Sequence, residues 1–251
     1  MNVKDGRAGV ALVDVAVSDP NGASEFYGEL FGWEFDPELW PNGYRYARVD
    51  GSIVAGIRPL DEQESAKWDV YFGVDDVEAI ATKISDLAGR VVFGPNDAGG
   101  AGKVAIALDT AFGAFGLWEA GAGWDFIQGR DNALVWSELV TPEASVDEFY
   151  SSVFGFETRQ IGEGAFDYTI WTLDGDTSVG RLKSSDGEDA SWTPYFGVNP
   201  SVGTDKVVAR AADLGAQILF GPADIPAGRV GTLRDPFGAR FSLVDLSRST
   251  R

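Results

Sequence analysis

The sequence predicts an α+β protein of four strand–helix–strand–strand–strand units, paired into two tandem halves at 1–124 and 125–251. Curved antiparallel sheets with helices on their convex faces are the architecture such units form. Three observations predict it. The chain repeats itself at a nearly constant offset. Each half alternates strand-like and short helix-like stretches in the same order. And 251 residues, 44% of them apolar and 24% charged, suffice for one large or two small folded domains.

The repeat comes first, because it sets the organisation. Glu25-Phe26-Tyr27-Gly28-Glu29-Leu30-Phe31-Gly32-Trp33 recurs as Glu148-Phe149-Tyr150-Ser151-Ser152-Val153-Phe154-Gly155-Phe156, an offset of 123. Asp50-Gly51 recurs as Asp174-Gly175, and Trp68-Asp69-Val70-Tyr71-Phe72-Gly73-Val74 as Trp192-Thr193-Pro194-Tyr195-Phe196-Gly197-Val198, both at 124. Phe93-Gly94-Pro95 recurs as Phe220-Gly221-Pro222. The halves join near Ala120-Gly121-Ala122-Gly123.

The elements follow in order. Val10–Val17 is Val-rich and reads as a strand. Asp19-Pro20 opens a helix, Asp19 as N-cap and Pro20 at the first position. Phe26, Tyr27, Leu30 and Phe31 fall at helical spacing, and Gly32 stops the helix. The segments 44–49 and 52–57 flank the Asp50-Gly51 turn as a hairpin. A strand at 68–74 leads into a helix at 77–88, with Ile80, Ile84 and Leu87 on one face and Gly89 closing it. Strands near 90–93, 103–108 and 115–118 complete the half. Phe26, Phe31, Phe149 and Phe154 are read as helix core. Gly99-Gly100-Ala101-Gly102 reads as a loop, since no strand–helix junction with Lys follows it as in a phosphate cradle.

Composition excludes several functions. There are 39 acidic and 20 basic side chains, a net charge of −19. Such a surface repels nucleic-acid backbones and anionic membranes, so neither is expected as a partner. The chain holds no Cys and no His. Thiolate nucleophiles, Cys-bound zinc, iron–sulfur clusters, His–metal sites and Ser–His–Asp triads are therefore excluded. No apolar run approaches the roughly 20 residues of a membrane span. Met1-Asn2-Val3-Lys4-Asp5-Gly6-Arg7 lacks a signal-peptide pattern, and a cytoplasmic location is expected.

The segments at 15–33, 71–77 (Tyr-Phe-Gly-Val-Asp-Asp-Val) and 235–243 (Asp-Pro-Phe-Gly-Ala-Arg-Phe-Ser-Leu) resemble the vicinal oxygen chelate superfamily. That superfamily includes glyoxalase I, extradiol dioxygenases and bleomycin-resistance proteins. The chain looks most like its tandem two-domain, glyoxalase-like members, and the resemblance spans nearly the whole length. It implies metal-ligand positions, which here carry unsuitable residues. Seven before the Asp opening the first helix stands Leu12, and Trp136 is its counterpart. The third-ligand positions are Asp69 and Thr193, and the last-strand positions are Gly116 and Ser242. The strands at 52–57 and 177–182 offer no carboxylate, amide or imidazole. One Asp among Leu, Trp, Gly, Thr and Ser does not make a divalent-metal set. No metal and no other cofactor is expected.

Residues two apart share a strand face. Leu12 with Asp14, Trp136 with Glu138, Asp69 with Tyr71, Thr193 with Tyr195, Gly116 with Trp118, and Arg240 with Ser242 thus face one way in pairs. The resemblance implies cavities closed between the first unit of one domain and the second unit of its partner. One would be lined by Leu12, Asp14, Thr193, Tyr195, Arg240 and Ser242, the other by Trp136, Glu138, Asp69, Tyr71, Gly116 and Trp118. Asp14 and Glu138 have two readings: a structural carboxylate neutralised by an Arg such as Arg240, or a ligand contact and, in an enzyme, a general base. Trp68, Trp118, Trp136 and Trp192 read as core or as ligand stackers, while Trp33, Trp40, Tyr44 and Tyr46 sit where they would rim a pocket.

Two functions are expected from this. One is metal-free binding of an aromatic or cationic metabolite or drug. The other is a cofactor-independent enzyme acting on an aromatic polyketide or dicarbonyl substrate. The partner is then a small molecule, and the chain a monomer or weak dimer, because tandem fusion already supplies the paired domains.

Overall fold

The computed structural model describes residues 9–36, 43–62, 64–162, 166–173, 176–184 and 189–250. Trp40 and the Asp174-Gly175 turn fall outside the described residues. The first unit is β1 (Val10–Val17), α1 (Pro20–Phe31), β2 (Glu34–Phe35), β3 (Arg45–Val49) and β4 (Ser52–Pro59). The second is β5 (Lys67–Gly73), α2 (Val77–Asp86), β6 (Arg90–Asp97), β7 (Gly102–Leu108) and β8 (Ala114–Ala120). The third is β9 (Leu134–Thr141), α3 (Val146–Phe154), β10 (Glu157–Gly162), β11 (Tyr168–Leu173) and β12 (Asp176–Lys183). The fourth is β13 (Ser191–Gly197), α4 (Thr204–Asp213), β14 (Gln217–Ile225), β15 (Gly228–Arg234) and β16 (Arg240–Asp245).

Local chemistry explains the boundaries. The Asp19 carboxylate accepts from the N–H groups of Asn21 and Gly22, Pro20 opens α1, and Gly32 ends it at φ +71°. The Asp50-Gly51 turn has positive φ at both residues (52° and 84°), the mirror-image geometry that suits a two-residue hairpin. At the end of α2 it is Ala88, at φ +65°, and not Gly89, that takes the left-handed conformation.

Within each half the units pair side by side. β1 pairs antiparallel with β5, with Asp14 opposite Asp69, and parallel with β4. β9 likewise pairs with β13, with Glu138 opposite Thr193, and parallel with β12. The sheets are therefore mixed, antiparallel except for one parallel pair per unit (β1–β4, β5–β8, β9–β12 and β13–β16). The two halves touch edge to edge through one strand pair, Trp68 opposite Trp192.

The helices, by contrast, cross between halves. The aromatic stripe of α1 packs on the second half: Phe26 and Tyr27 meet Phe241, and Phe31 meets Phe196. The stripe of α3 packs on the first: Phe149 and Tyr150 meet Phe115, and Phe154 meets Phe72. A buried hydrogen bond locks each crossing, Tyr27 to Asp235 at 2.7 Å and Tyr150 to Asp109 at 3.0 Å. The same Asp carboxylates accept backbone N–H groups of their own turns, which places both in turn structure. The Trp33 indole is buried in this helix-side core and donates to the Asn132 carbonyl, so it does not rim a pocket. No helix among the described residues is long and apolar enough to cross a membrane.

Candidate functional site

Because β1 pairs with β5 in its own half, the cups are not closed between halves as expected. The physical reason is the short connection from β4 to β5, which lays the second unit directly beside the first. The first cup gathers Leu12, Asp14, Asp69, Tyr71 and Trp118. Glu138 stands with Thr193 and Tyr195, and Ser242 pairs with Tyr195 in the strand ladder of the second half. Arg240 acts on Glu138, and the cation on Asp14 is a residue the sequence reading missed, Arg58.

At the centre of the first cup is a buried carboxylate between two tyrosines. The Tyr71 hydroxyl donates to Asp14 Oδ2 at 2.9 Å, and the Tyr44 hydroxyl bonds to the same carboxylate. Two glycines make room. A Cβ on Gly56 would lie 2.0 Å from the Tyr44 hydroxyl, and one on Gly116 would lie 1.9 Å from the Tyr71 ring. Arg58 lies 3.7 Å from Asp14 and bonds Asp69 at 2.7 Å and Glu64 at 2.6 Å. Lys67 completes the cluster, 3.2 Å from both Glu64 and Asp69. Burial pushes the Asp14 carboxyl up to about 6, helped by the Asp69 charge, while Arg58 and the two tyrosine bonds oppose the rise. For Glu64 burial also works upward, but Arg58 and Lys67 outweigh it and hold the group at about 2.

Around this centre lies a cavity of about 760 Å³. Its apolar wall includes Tyr46, Phe93, Ile106 and Trp118. Its charged lining holds five carboxylates (Asp14, Asp61, Glu64, Asp69, Asp97) against two cations, Arg58 and Lys67. The Trp118 ring packs 4.5 Å from that of Trp124, and its Nε1 is a buried donor without a partner among the described residues.

The second cup repeats the frame with other chemistry. Tyr195 donates to Glu138 at 3.2 Å, and Tyr168 bonds the same carboxylate. A Cβ on Gly180 would lie 2.1 Å from the Tyr168 hydroxyl. Trp136 Nε1 donates to Tyr168 at 3.0 Å, and the Ser242 and Thr232 hydroxyls pair at 2.8 Å. Burial raises the Glu138 carboxyl, with the tyrosine bonds and Arg240 opposing. Trp68 and Trp192 are core, nearly fully buried where the halves meet. Tyr168 was missed by the sequence reading. The repeat offset that relates Asp14 to Glu138 also relates Tyr44 to Tyr168 and would have found it.

The positions at which the resemblance implies metal ligands do not fit a divalent ion. In the first cup they hold the Leu12 side chain, Asp69 already bonded to Arg58 and Lys67, and Gly116 under the Tyr71 ring. In the second they hold Trp136, Thr193 and Ser242 beside one carboxylate, Glu138. Among the described residues, acids close enough to share an ion are Asp76, Glu78 and Glu119, at the start of α2 and outside the cups. There Lys103 bonds Glu78, and Glu119 accepts the Val77 N–H.

Comparison with known proteins extends the picture. No family model matches the chain. It is 34% identical over 247 residues to "Putative glyoxylase CFP32" of Mycobacterium tuberculosis (strain CDC 1551 / Oshkosh), covering 92% of each chain. It is 31% identical over 259 residues to "Anthracycline biosynthesis protein DnrV" of Streptomyces peucetius, covering 94% of this chain and 92% of that one. Among solved structures it is similar to 2,2',3-trihydroxybiphenyl 1,2-dioxygenase of Sphingomonas wittichii strain RW1. That match has a TM-score of 0.70, 16% identity, and covers 95% of this chain and 90% of that one. It is also similar to the Mn(II)-bound glyoxalase of Novosphingobium aromaticivorans, with a TM-score of 0.67, 17% identity, and coverage of 98% and 86%. At these identities the solved structures speak for the fold alone.

Proposed function

The chain belongs to the vicinal oxygen chelate superfamily, and from that premise we propose that it is a metal-free member whose first cup binds a planar aromatic small molecule bearing a cationic group. The single observation that carries this is the lining of the 760 Å³ cavity, in which aromatic walls meet five carboxylates and two cations. Stacking on the half-exposed Phe93 ring, beside the buried Trp118 and Tyr46, supplies affinity, and the acid excess selects a positive charge. Trp118 Nε1 offers a donor to an acceptor on the ring system. The relatives named for anthracycline biosynthesis support an aromatic polyketide as the ligand class. Leu12 and Gly116 give the cup no donors where metalloenzymes of this fold hold their ion.

The test is quenching of tryptophan emission by an anthracycline bearing a free amine, against its N-acetylated form. The amine is expected to bind at least about tenfold tighter, and added salt to narrow that gap. Equal binding of both forms, or no quenching by any aromatic amine at micromolar concentration, overturns the reading. So does a stoichiometric divalent metal held in the cup of the purified protein.

A second reading, a cofactor-independent enzyme, is favoured by one feature. Asp14, pushed up to about 6, sits between two tyrosine hydroxyls on the cavity wall. A carboxyl tuned near neutrality exchanges protons with a substrate, and the hydroxyls stabilise an enolate oxygen. Asp14→Asn separates the readings: turnover falls about 100-fold or more in an enzyme, while ligand quenching in a binder persists.

A further inference from the structure

The second cup ends against the first half in a groove of about 300 Å³ that the cationic-ligand reading leaves unused. Its walls include Lys67 and Trp68 of β5, Trp192 of β13, Arg234 of β15 and Arg240 of β16, with Asp189 the one carboxylate in the lining. Arg234 and Arg240 stand directly opposite each other in the antiparallel ladder. Like charges in that arrangement repel, so a neighbouring counter-charge is expected. Arg240 feels the Glu138 carboxylate from a distance, but neither arginine forms an ion pair among the described residues, and Arg240 Nε is buried without a hydrogen-bond partner. Arg48, Arg58, Arg130, Arg181 and Arg229 are paired with carboxylates, whereas Arg45, Arg90, Arg159 and Arg210 form no ion pair among the described residues. What sets Arg234 and Arg240 apart is that two unpaired guanidinium groups face one groove.

The duplication shows that the fold does not require this charge. The same ladder pair in the first half is Leu108 opposite Ala114, both apolar and both lining the first cavity. Two guanidinium forks have thus replaced two aliphatic side chains at the edge of one cup only. Paired guanidinium groups match the oxygens of a carboxylate or phosphate. We propose that this groove is a second binding site, for the oxyanion of a small organic acid, chemically opposite to the first cup.

Melting temperature and tryptophan emission, titrated with benzoate and with inorganic phosphate against sodium chloride at matched ionic strength, test this. One or both oxyanions are expected to give a saturable stabilisation that chloride does not. Benzoate acting alone identifies a carboxylate ligand, and phosphate acting alone a phosphate ester. Arg234→Gln and Arg240→Gln are each expected to weaken the response about tenfold or more, with Arg210→Gln as an unchanged control. If Arg240→Gln fails to fold, Arg234→Gln, at the exposed end of its strand, carries the test alone. A stabilisation equal to that of chloride, or one that survives both substitutions, overturns the proposal. Quenching by the aromatic amine in the first cup is expected to be unaffected by either variant, so failure here is distinguishable from failure there.

Discussion

The two cups share a frame and differ in charge. Each holds a buried carboxylate, Asp14 or Glu138, bonded by two tyrosines and backed by a glycine whose missing Cβ admits one of the rings. Around that frame the halves diverge. The first cup adds Arg58, Glu64, Lys67 and Asp69. The second has Leu182 where Arg58 stands, Thr193 where Asp69 stands, and the Thr232–Ser242 hydroxyl pair where Ile106 and Gly116 stand. What is repeated is what keeps a buried carboxylate satisfied, because an unsatisfied one is costly in either half. What varies is what a ligand would meet. The shared part is therefore read as structural support and the differing part as specificity.

The largest expected effect comes from giving the first cup the second cup's side chain at position 58. Arg58→Leu leaves Asp14 and Asp69, both buried, short of their cation. Removing one partner of a buried ion pair costs about 3–5 kcal/mol, and Lys67, still near Asp69, holds the effect toward the lower end. Urea unfolding at pH 7 measures it. A change below about 1 kcal/mol would mean that these charges behave as solvated surface ions, and the contrast between the cups would lose its electrostatic content.

The pH dependence comes next. In the folded protein Asp14 holds its proton up to about 6, against 3.8 for the ordinary side chain. The folded state therefore binds the proton more tightly than the unfolded state does. Its contribution to stability is greatest below pH 3.8, falls as pH rises toward 6, and levels off above that. The fall is about 3 kcal/mol. Asp14→Asn is expected to lessen the downward slope of melting curves recorded between pH 4 and 7, leaving the part that belongs to other buried acids such as Glu138. A wild-type slope unchanged in the variant assigns the titration to another group.

Smaller, and equal in the two halves, is the cost of filling the glycine recesses. Gly56→Ala and Gly180→Ala each push a Cβ into a tyrosine hydroxyl. Overpacking of this kind costs about 1–3 kcal/mol. Similar losses in denaturant midpoint support a common frame, whereas a large loss in one half alone would show that only that half depends on it.

Much of this was legible before the structure, and what was not depends on how strands and helices come together over long distances. The repeat, the unit order and the caps of α1 follow from local chemistry, as do the strand faces that put Asp14 and Leu12 together. Strand adjacency does not. The alternation rule places Asp14 on a face without saying that β4 runs parallel beside it, which is what brings Gly56 and Arg58 to the same carboxylate. The exchange between halves in the cups is an implication of the resemblance, not of alternation, and it is the aromatic stripes of α1 and α3 that cross over. Trp33 lies near the first hairpin, where a rim position is expected, but the helix crossing buries it among Tyr27, Phe31 and Phe196.

The smallest expected effect tests whether charge or volume selects the ligand. Trp136 stands in the second cup where Leu12 lines the first, and a Cβ on Gly180 would lie 2.9 Å from its ring. Trp136→Leu removes that ring and one hydrogen bond to Tyr168, whose hydroxyl keeps Glu138 as a partner. The stability loss is about 1 kcal/mol, the usual worth of such a bond. The substitution enlarges the second cup without adding acids. The N-acetylated aromatic is therefore expected to gain affinity while the free amine does not, and quench titrations of both forms would show their ratio fall. A gain for the amine alone would mean that Glu138 by itself recruits the cation, and the acid cluster around Arg58 would no longer be what tells the two cups apart.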